Sequence, residues 1–259
     1  MVTSRDGTKI AYDKVGRGPM VMIVGGALSL RRGWTEPKLA QLLASDFTAV
    51  TYDRRGRGDS TDTQPYTPER EIEDIEALLN EFGGSGYLYG ISSGAALALY
   101  AASELNGKIG KLAIYDTPYD SSEDGRKATR EYNKQLAYLL ANDNRGDAVA
   151  LFMKFVGTPI ELINGMRNSP MWTAMETLAP TLAYDSAVLV DDRSVPIEMA
   201  AKVTASTLII YGEKNPPFIR ETAQALKKAI PNAQLRMLQS QTHDVQPEAL
   251  VPVLKEFFQ

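Results

Sequence analysis

Residues Gly86-Tyr87-Leu88-Tyr89-Gly90-Ile91-Ser92-Ser93-Gly94-Ala95-Ala96-Leu97-Ala98-Leu99-Tyr100 decide how the rest of the chain is read. An apolar run suited to a buried strand ends near Tyr89, and an alanine- and leucine-rich helical run begins at Ala95. Between them stands Gly90-Ile91-Ser92-Ser93-Gly94, a G-x-S-x-G sequence. A serine on a tight strand-to-helix turn points its Oγ out of the sheet, and glycines two residues to either side remove Cβ atoms that would clash. The following helix aims its N-terminal N–H groups at the same point, which favours a developing oxyanion. Ser92 is therefore the candidate nucleophile, and Ser93 contributes through its backbone N–H rather than its hydroxyl.

Outward from this turn, short apolar runs alternate with helical patterns. Strands are expected over Thr8–Tyr12, Met20–Val24, Thr48–Tyr52, Gly86–Tyr89, Lys111–Tyr115, Thr207–Tyr211 and Gln234–Leu238. Most are continuous apolar runs ended by Gly, Pro or Asp, the pattern of strands buried on both faces of a parallel sheet. Helices are expected over Pro37–Ala44, Glu69–Phe82, Gly94–Leu105, Ile219–Ala229 and Pro247–Phe258. In the second of these, Glu71, Glu73, Asp74 and Glu76 surround Ile72, Ile75, Leu78 and Leu79 at spacing 3–4, an amphipathic pattern. Strand–helix alternation over this length means an α/β fold with a mostly parallel sheet flanked by helices. The alternation stops between about Pro118 and Ala200, where several helices and no strand are expected. The division read from this is a core of 1–117 and 201–259 with an inserted helical cap at 118–200, placed over the strand carboxyl ends where such sheets bind ligands.

With these motifs the chain resembles the α/β-hydrolase fold family over nearly its whole length. Gly25-Gly26-Ala27 after the second strand looks like the family's oxyanion loop, with Gly25 where the family often has His. The resemblance implies an oxyanion hole made by the N–H groups of Ala27 and Ser93. Asp53-Arg54-Arg55-Gly56-Arg57-Gly58-Asp59-Ser60 resembles the family's D-x-R-G-x-G-x-S turn, a structural element. That reading also explains Arg57-Gly58-Asp59-Ser60, which otherwise spells an adhesion tetrapeptide. His243, the one histidine in the chain, follows the last strand, where the family has its general base. A serine hydrolase needs one neutral imidazole beside its nucleophile.

The third member of the triad departs from the family pattern. Asn215 stands after the strand Thr207–Tyr211, where an Asp is usual. An amide can hold an imidazole but does not stabilise imidazolium by charge, and in a serine protease Asp→Asn in this role costs about 10⁴-fold in kcat. Asp116, at the end of the strand Lys111–Tyr115, is the favoured orienting acid because some family members supply their acid from that strand. Asn215 is the alternative third member. An ordinary reading of Asp116 is a turn residue before Pro118. Leu28, Ile91, Met171, Trp172 and Met175 are the candidate substrate-pocket residues. For the methionines and Trp172 the competing reading is plain core of the helical insertion.

Composition narrows the class. The 259 residues carry 28 Lys+Arg against 32 Asp+Glu, a net charge of -4, which argues against nucleic acid as a partner. There is no cysteine, which excludes disulfides, thiol nucleophiles and Cys-bound metals. No metal or organic cofactor is implied. The N-terminus lacks a secretory h-region and no apolar run is long enough to span a membrane, so a cytoplasmic location is expected. The function expected is that of a carboxylesterase-like serine hydrolase acting through an acyl-enzyme on a small or medium neutral acyl compound. The alternatives are a cofactor-free haloperoxidase, a carbon–carbon hydrolase or lyase, or a ligand-binding pseudo-hydrolase. Oligomeric state is not legible.

Overall fold

The computed structural model describes residues 1–33, 35–190 and 192–259. At the N-terminus β1 (Val2–Thr3) and β2 (Lys9–Ile10) form a small antiparallel pair. The main sheet is built from β3 (Tyr12–Val15), β4 (Met20–Val24), β5 (Thr48–Tyr52), β6 (Gly86–Ile91), β7 (Ile109–Tyr115), β8 (Ser206–Gly212) and β9 (Ala233–Leu238). Its seven strands run in the order β3-β5-β4-β6-β7-β8-β9. Only β3 is antiparallel to its neighbour; the other pairings are parallel. The expected strand at Thr8–Tyr12 is thus two strands in two sheets. Ala11 breaks it: its N–H donates to Ser60 Oγ at 2.9 Å and its carbonyl accepts the Asp53 N–H at 3.0 Å.

Between the strands lie α1 (Glu36–Leu43), α2 (Pro68–Glu81) and α3 (Ser93–Glu104), and towards the C-terminus α10 (Pro217–Ala229) and α11 (Pro247–Phe258). Alternate strand residues face opposite sides. Met22, Val24, Leu88, Leu112 and Ile114 pack with Ile75 and Leu78 of α2, the alanines of α3, and Leu226 of α10. Val21, Ile23, Tyr89, Ala113 and Tyr115 pack with Leu39 and Leu43 of α1, and Leu254 and Phe258 of α11. Both faces are covered, which is why these strands read as continuous apolar runs.

From Pro118 onward the chain forms α4 (Glu123–Ala141), α5 (Arg145–Phe155), α6 (Ile160–Met166), α7 (Pro170–Leu178), a 3₁₀ turn at Ala179–Thr181, α8 (Leu182–Val188) and α9 (Ile197–Ala200). Tyr132, Leu136, Val149, Ile163, Trp172 and Leu182 form a separate apolar cluster, and Ala27 and Leu28 pack against it. Those two residues lie just past the carboxyl end of β4, so the helices lie over that end of the sheet. The two ends of the segment return to the main core: Tyr119, Val188, Leu189 and Ala200 all belong to it. Asp191 lies outside the described residues.

The turn after β5 overturns one detail of the helix pattern. Glu71 and Asp74 of α2 are buried and do not face solvent. Arg54 donates to Glu71 from Nε and Nη2 at 2.6 Å each, and Arg55 pairs with Asp74 at 2.7 and 2.8 Å. Buried carboxylates require such partners. Gly58 and Asp59 of the Arg-Gly-Asp-Ser stretch are exposed, but Arg57 is 1% exposed, so its guanidinium belongs to the buried network and is not displayed.

Candidate active site

Four consecutive carboxyl ends of the parallel strands bring the site residues together. β6 ends at Ile91, and Ser92 follows with φ 58° and ψ -131°, outside the ordinary regions for a non-glycine residue. Strain of this kind persists only where the surroundings fix it, and it clusters at functional sites. The fixing contacts are close. The Ser92 N–H donates to the Tyr115 carbonyl at 3.1 Å, and a Cβ on Gly94 would lie 2.2 Å from the Val24 carbonyl oxygen. Only glycine fits there, so α3 starts hard against the end of β4 and the Gly25 backbone.

β7 ends at Tyr115 and Asp116 follows, also at positive φ (47°), with its side chain buried. Asp116 Oδ1 accepts the Gly212 N–H at 3.1 Å. Its Oδ2 accepts the Asn215 amide at 2.6 Å and lies 3.3 Å from His243 Nδ1. Burial raises the Asp116 carboxyl above its ordinary value, opposed by His243, the Gly212 N–H and the Asn215 amide, all of which favour the carboxylate. Asp116, not Asn215, therefore stands against the imidazole, and the Asn215 amide donates to Asp116. The Tyr115 hydroxyl donates to the Thr242 carbonyl at 2.6 Å and anchors the loop that carries His243. The His243 side chain is 48% exposed.

Ser92 and His243 line one cavity of about 260 Å³ with Gly26, Ala27, Glu36, Ile91, Phe152 and Val156. A smaller cavity of about 50 Å³ shares Ser92, Ala27, Phe152 and Val156 and extends to Ser93, Tyr132, Asp185 and Arg193. Of the expected pocket residues, Ile91 lines the larger cavity. Met171 does not line either: it is 44% exposed, because α7 turns it outward. Trp172 is buried in the helical cluster, with Met175 and Leu28 packed against it, so these three are packing residues. The walls are supplied instead by Phe152 and Val156 at the end of α5.

A buried carboxylate escaped the sequence reading. Asp185 of α8 accepts from Arg54 Nη1 at 2.6 Å, Arg57 Nη2 at 2.8 Å and Ser93 Oγ at 2.7 Å. Burial would raise its pKa, but Arg57, Arg54 and the Ser93 hydroxyl outweigh burial and hold it below the ordinary carboxylate range. Arg57 Nη1 also donates to the Gly26 carbonyl at 2.6 Å. One carboxylate from the inserted helices thus joins the turn after Ser92 to the loop holding Ala27. The only local signal was a lone acid in the otherwise uncharged stretch Leu182–Val188.

The comparisons agree with this architecture. A family model described as "Alpha/beta hydrolase family" matches residues 20–253. An alpha/beta hydrolase structure from Sphaerobacter thermophilus is 46% identical, with TM-score 0.91, covering 100% of this chain and 99% of that one. A thermophilic esterase from Thermogutta terrifontis is 21% identical with TM-score 0.70, covering 98% and 96%, a likeness of fold alone. A proline iminopeptidase of Pestalotiopsis fici is 22% identical over 97% of this chain and 95% of its own. Matched from β4 into α11, the chain belongs to the alpha/beta hydrolase family.

Proposed function

We propose that this protein is a serine hydrolase that cleaves a small or medium ester through an acyl-enzyme. The observation that carries the reading is the 3.3 Å contact between His243 Nδ1 and Asp116 Oδ2 beside a cavity that Ser92 and His243 both line. With Nδ1 turned to Asp116, Nε2 is the ring nitrogen left for proton transfer. Ser92 Oγ attacks the ester carbonyl carbon while His243 takes the hydroxyl proton. The N–H groups of Ala27 and Ser93 receive the negative charge on the carbonyl oxygen. The carbon–alkoxide bond then breaks, and His243 hands its proton to the leaving oxygen. Water, deprotonated by His243, attacks the acyl carbon; the carbon–Oγ bond breaks and the proton returns to Ser92. Asp116 stabilises the imidazolium in both halves. No step draws on a metal or an organic cofactor.

In this reading α4–α9 form a cap over 118–200, and a small acyl compound is the partner in a cytoplasmic setting. No helix among the described residues is long and apolar enough to cross a membrane. The test is hydrolysis of p-nitrophenyl acetate by wild type and Ser92→Ala. Turnover that survives the substitution unchanged rejects the reading.

A further inference from the structure

The charges around the smaller cavity are unequal in a way the acyl-transfer chemistry leaves unexplained. Asp185 is engaged by Arg54 and Arg57, and Arg54 also by Glu71, so two guanidinium groups face two carboxylates. Arg193 lines the same cavity and stands outside this balanced set. Its Nε and Nη2 donate to the Pro118 carbonyl oxygen, from Nε at 2.6 Å. Its guanidinium lies over the rings of Phe155 at 4.9 Å and Phe218 at 5.9 Å. Among the described residues no carboxylate pairs with it. Burial draws its pKa below the ordinary arginine value, which Asp120 and Tyr132 only partly offset. The Nη1 hydrogens and one Nη2 hydrogen have no partner among the described residues.

The backbone gives a second, independent sign. Arg193 has φ 58°, a conformation uncommon for a residue with a long side chain. It is held there by the Asp120 N–H, which donates to the Arg193 carbonyl at 2.8 Å. A bulky residue fixed in that region beside a cleft points to a task for its side chain.

We propose that Arg193 receives a carboxylate carried on the acyl half of the substrate, so that the preferred substrate is the monoester of a short dicarboxylic acid. The inference rests on the acyl-transfer reading of Ser92. The half is decided by His243: the leaving oxygen must take its proton from the imidazole, which lines the larger cavity, so the acyl chain enters the smaller one. A space of about 50 Å³ admits only a short chain. With Nε and one Nη2 hydrogen on the Pro118 carbonyl, the Nη1–Nη2 edge of the guanidinium, which lies over the Phe155 ring, suits a planar carboxylate.

The test compares acid release from monomethyl succinate and from methyl butanoate in a pH-stat, for wild type, Arg193→Gln and Arg193→Lys. Wild type is expected to favour monomethyl succinate in kcat/KM by about tenfold or more, as for a charge-assisted contact. In Arg193→Gln the ratio falls toward one, and in Arg193→Lys it lies between. A wild type without the preference, or a preference that Arg193→Gln retains, overturns the proposal while leaving the hydrolase reading intact. If neither ester nor p-nitrophenyl acetate is turned over, the hydrolase reading fails first. Calorimetric titration with succinate then decides the carboxylate site, which requires binding to wild type and its loss in Arg193→Gln. Absence of binding to wild type rejects it. Arg193→Lys serves as the test variant should the Gln form fail to fold.

Discussion

The Asn215 amide donates to Asp116 Oδ2 at 2.6 Å, the same oxygen that faces His243 Nδ1 at 3.3 Å. The amide and the imidazole thus converge on one buried carboxylate from two different strand ends, and their roles separate. In the proposed mechanism Asp116 supplies the charge, while Asn215 and the Gly212 N–H fix the direction in which that charge points.

Asp116→Asn is therefore expected to lower kcat by about 10²–10⁴-fold with little change in KM, because imidazolium loses its counter-charge in the transition state. Asn215→Ala removes one donor to the carboxylate and is expected to cost about tenfold in kcat. Steady-state kinetics on p-nitrophenyl acetate, with melting curves as a folding control, check both. A larger loss in Asn215→Ala than in Asp116→Asn contradicts the assignment.

Gly94→Ala tests the tight turn. The added methyl would lie 2.2 Å from the Val24 carbonyl oxygen, and that oxygen is part of the central strand β4, which is unable to swing aside. Overpacking of this kind costs about 1–3 kcal/mol. Urea denaturation should show the loss; a Gly94→Ala protein as stable as wild type would mean that α3 and β4 can separate freely.

Asp185→Ala would leave Arg54 and Arg57 facing each other with one carboxylate fewer, in a site where both are buried. Removing one partner of a buried ion pair costs about 3–5 kcal/mol. Because Arg57 also holds the Gly26 carbonyl, kcat on p-nitrophenyl acetate should fall with stability. Unchanged stability and rate would show that the network is redundant.

Acid should remove part of the same contribution. The Asp185 carboxyl is held below its ordinary value of 3.8 in the fold, so its stabilising effect is complete above that value and fades as pH falls through the lower folded one. Wild type should then lose more stability than Asp185→Asn between pH 5 and pH 3, two points taken about one unit to either side of an ordinary carboxylate. Urea midpoints at the two pH values measure it. Parallel losses in the two proteins would place the acid sensitivity elsewhere.

The central strands of the run β4 to β8 were legible because both faces of the sheet are covered there and polarity largely gives way to apolar residues, whereas the edge strand β9 keeps Gln234 and Arg236 among its apolar residues. The Ser92 turn was legible because its glycines are demanded by contacts within a few residues. Distant pairing left no such trace. Glu71 and Asp74 read as a solvated helix face because their arginine partners, 17 and 19 residues away, sit in a turn that looked merely structural. Asp185 meets Arg54 across 131 positions, and no local pattern announces that contact. Between the two readings of Met171 and Trp172, cavity wall or packing of the inserted helices, the sequence does not choose, because the rotation of a short helix decides which of its apolar residues face a neighbour; α7 turns Trp172 into its own cluster and Met171 outward.

The most direct test of the central claim is covalent. Treatment with a fluorophosphonate, followed by intact-mass measurement and peptide mapping, should give one adduct on Ser92, lost in Ser92→Ala and strongly slowed in His243→Ala. Full labelling at another residue, or wild-type protein that stays unmodified while folded, would contradict a nucleophile at this turn.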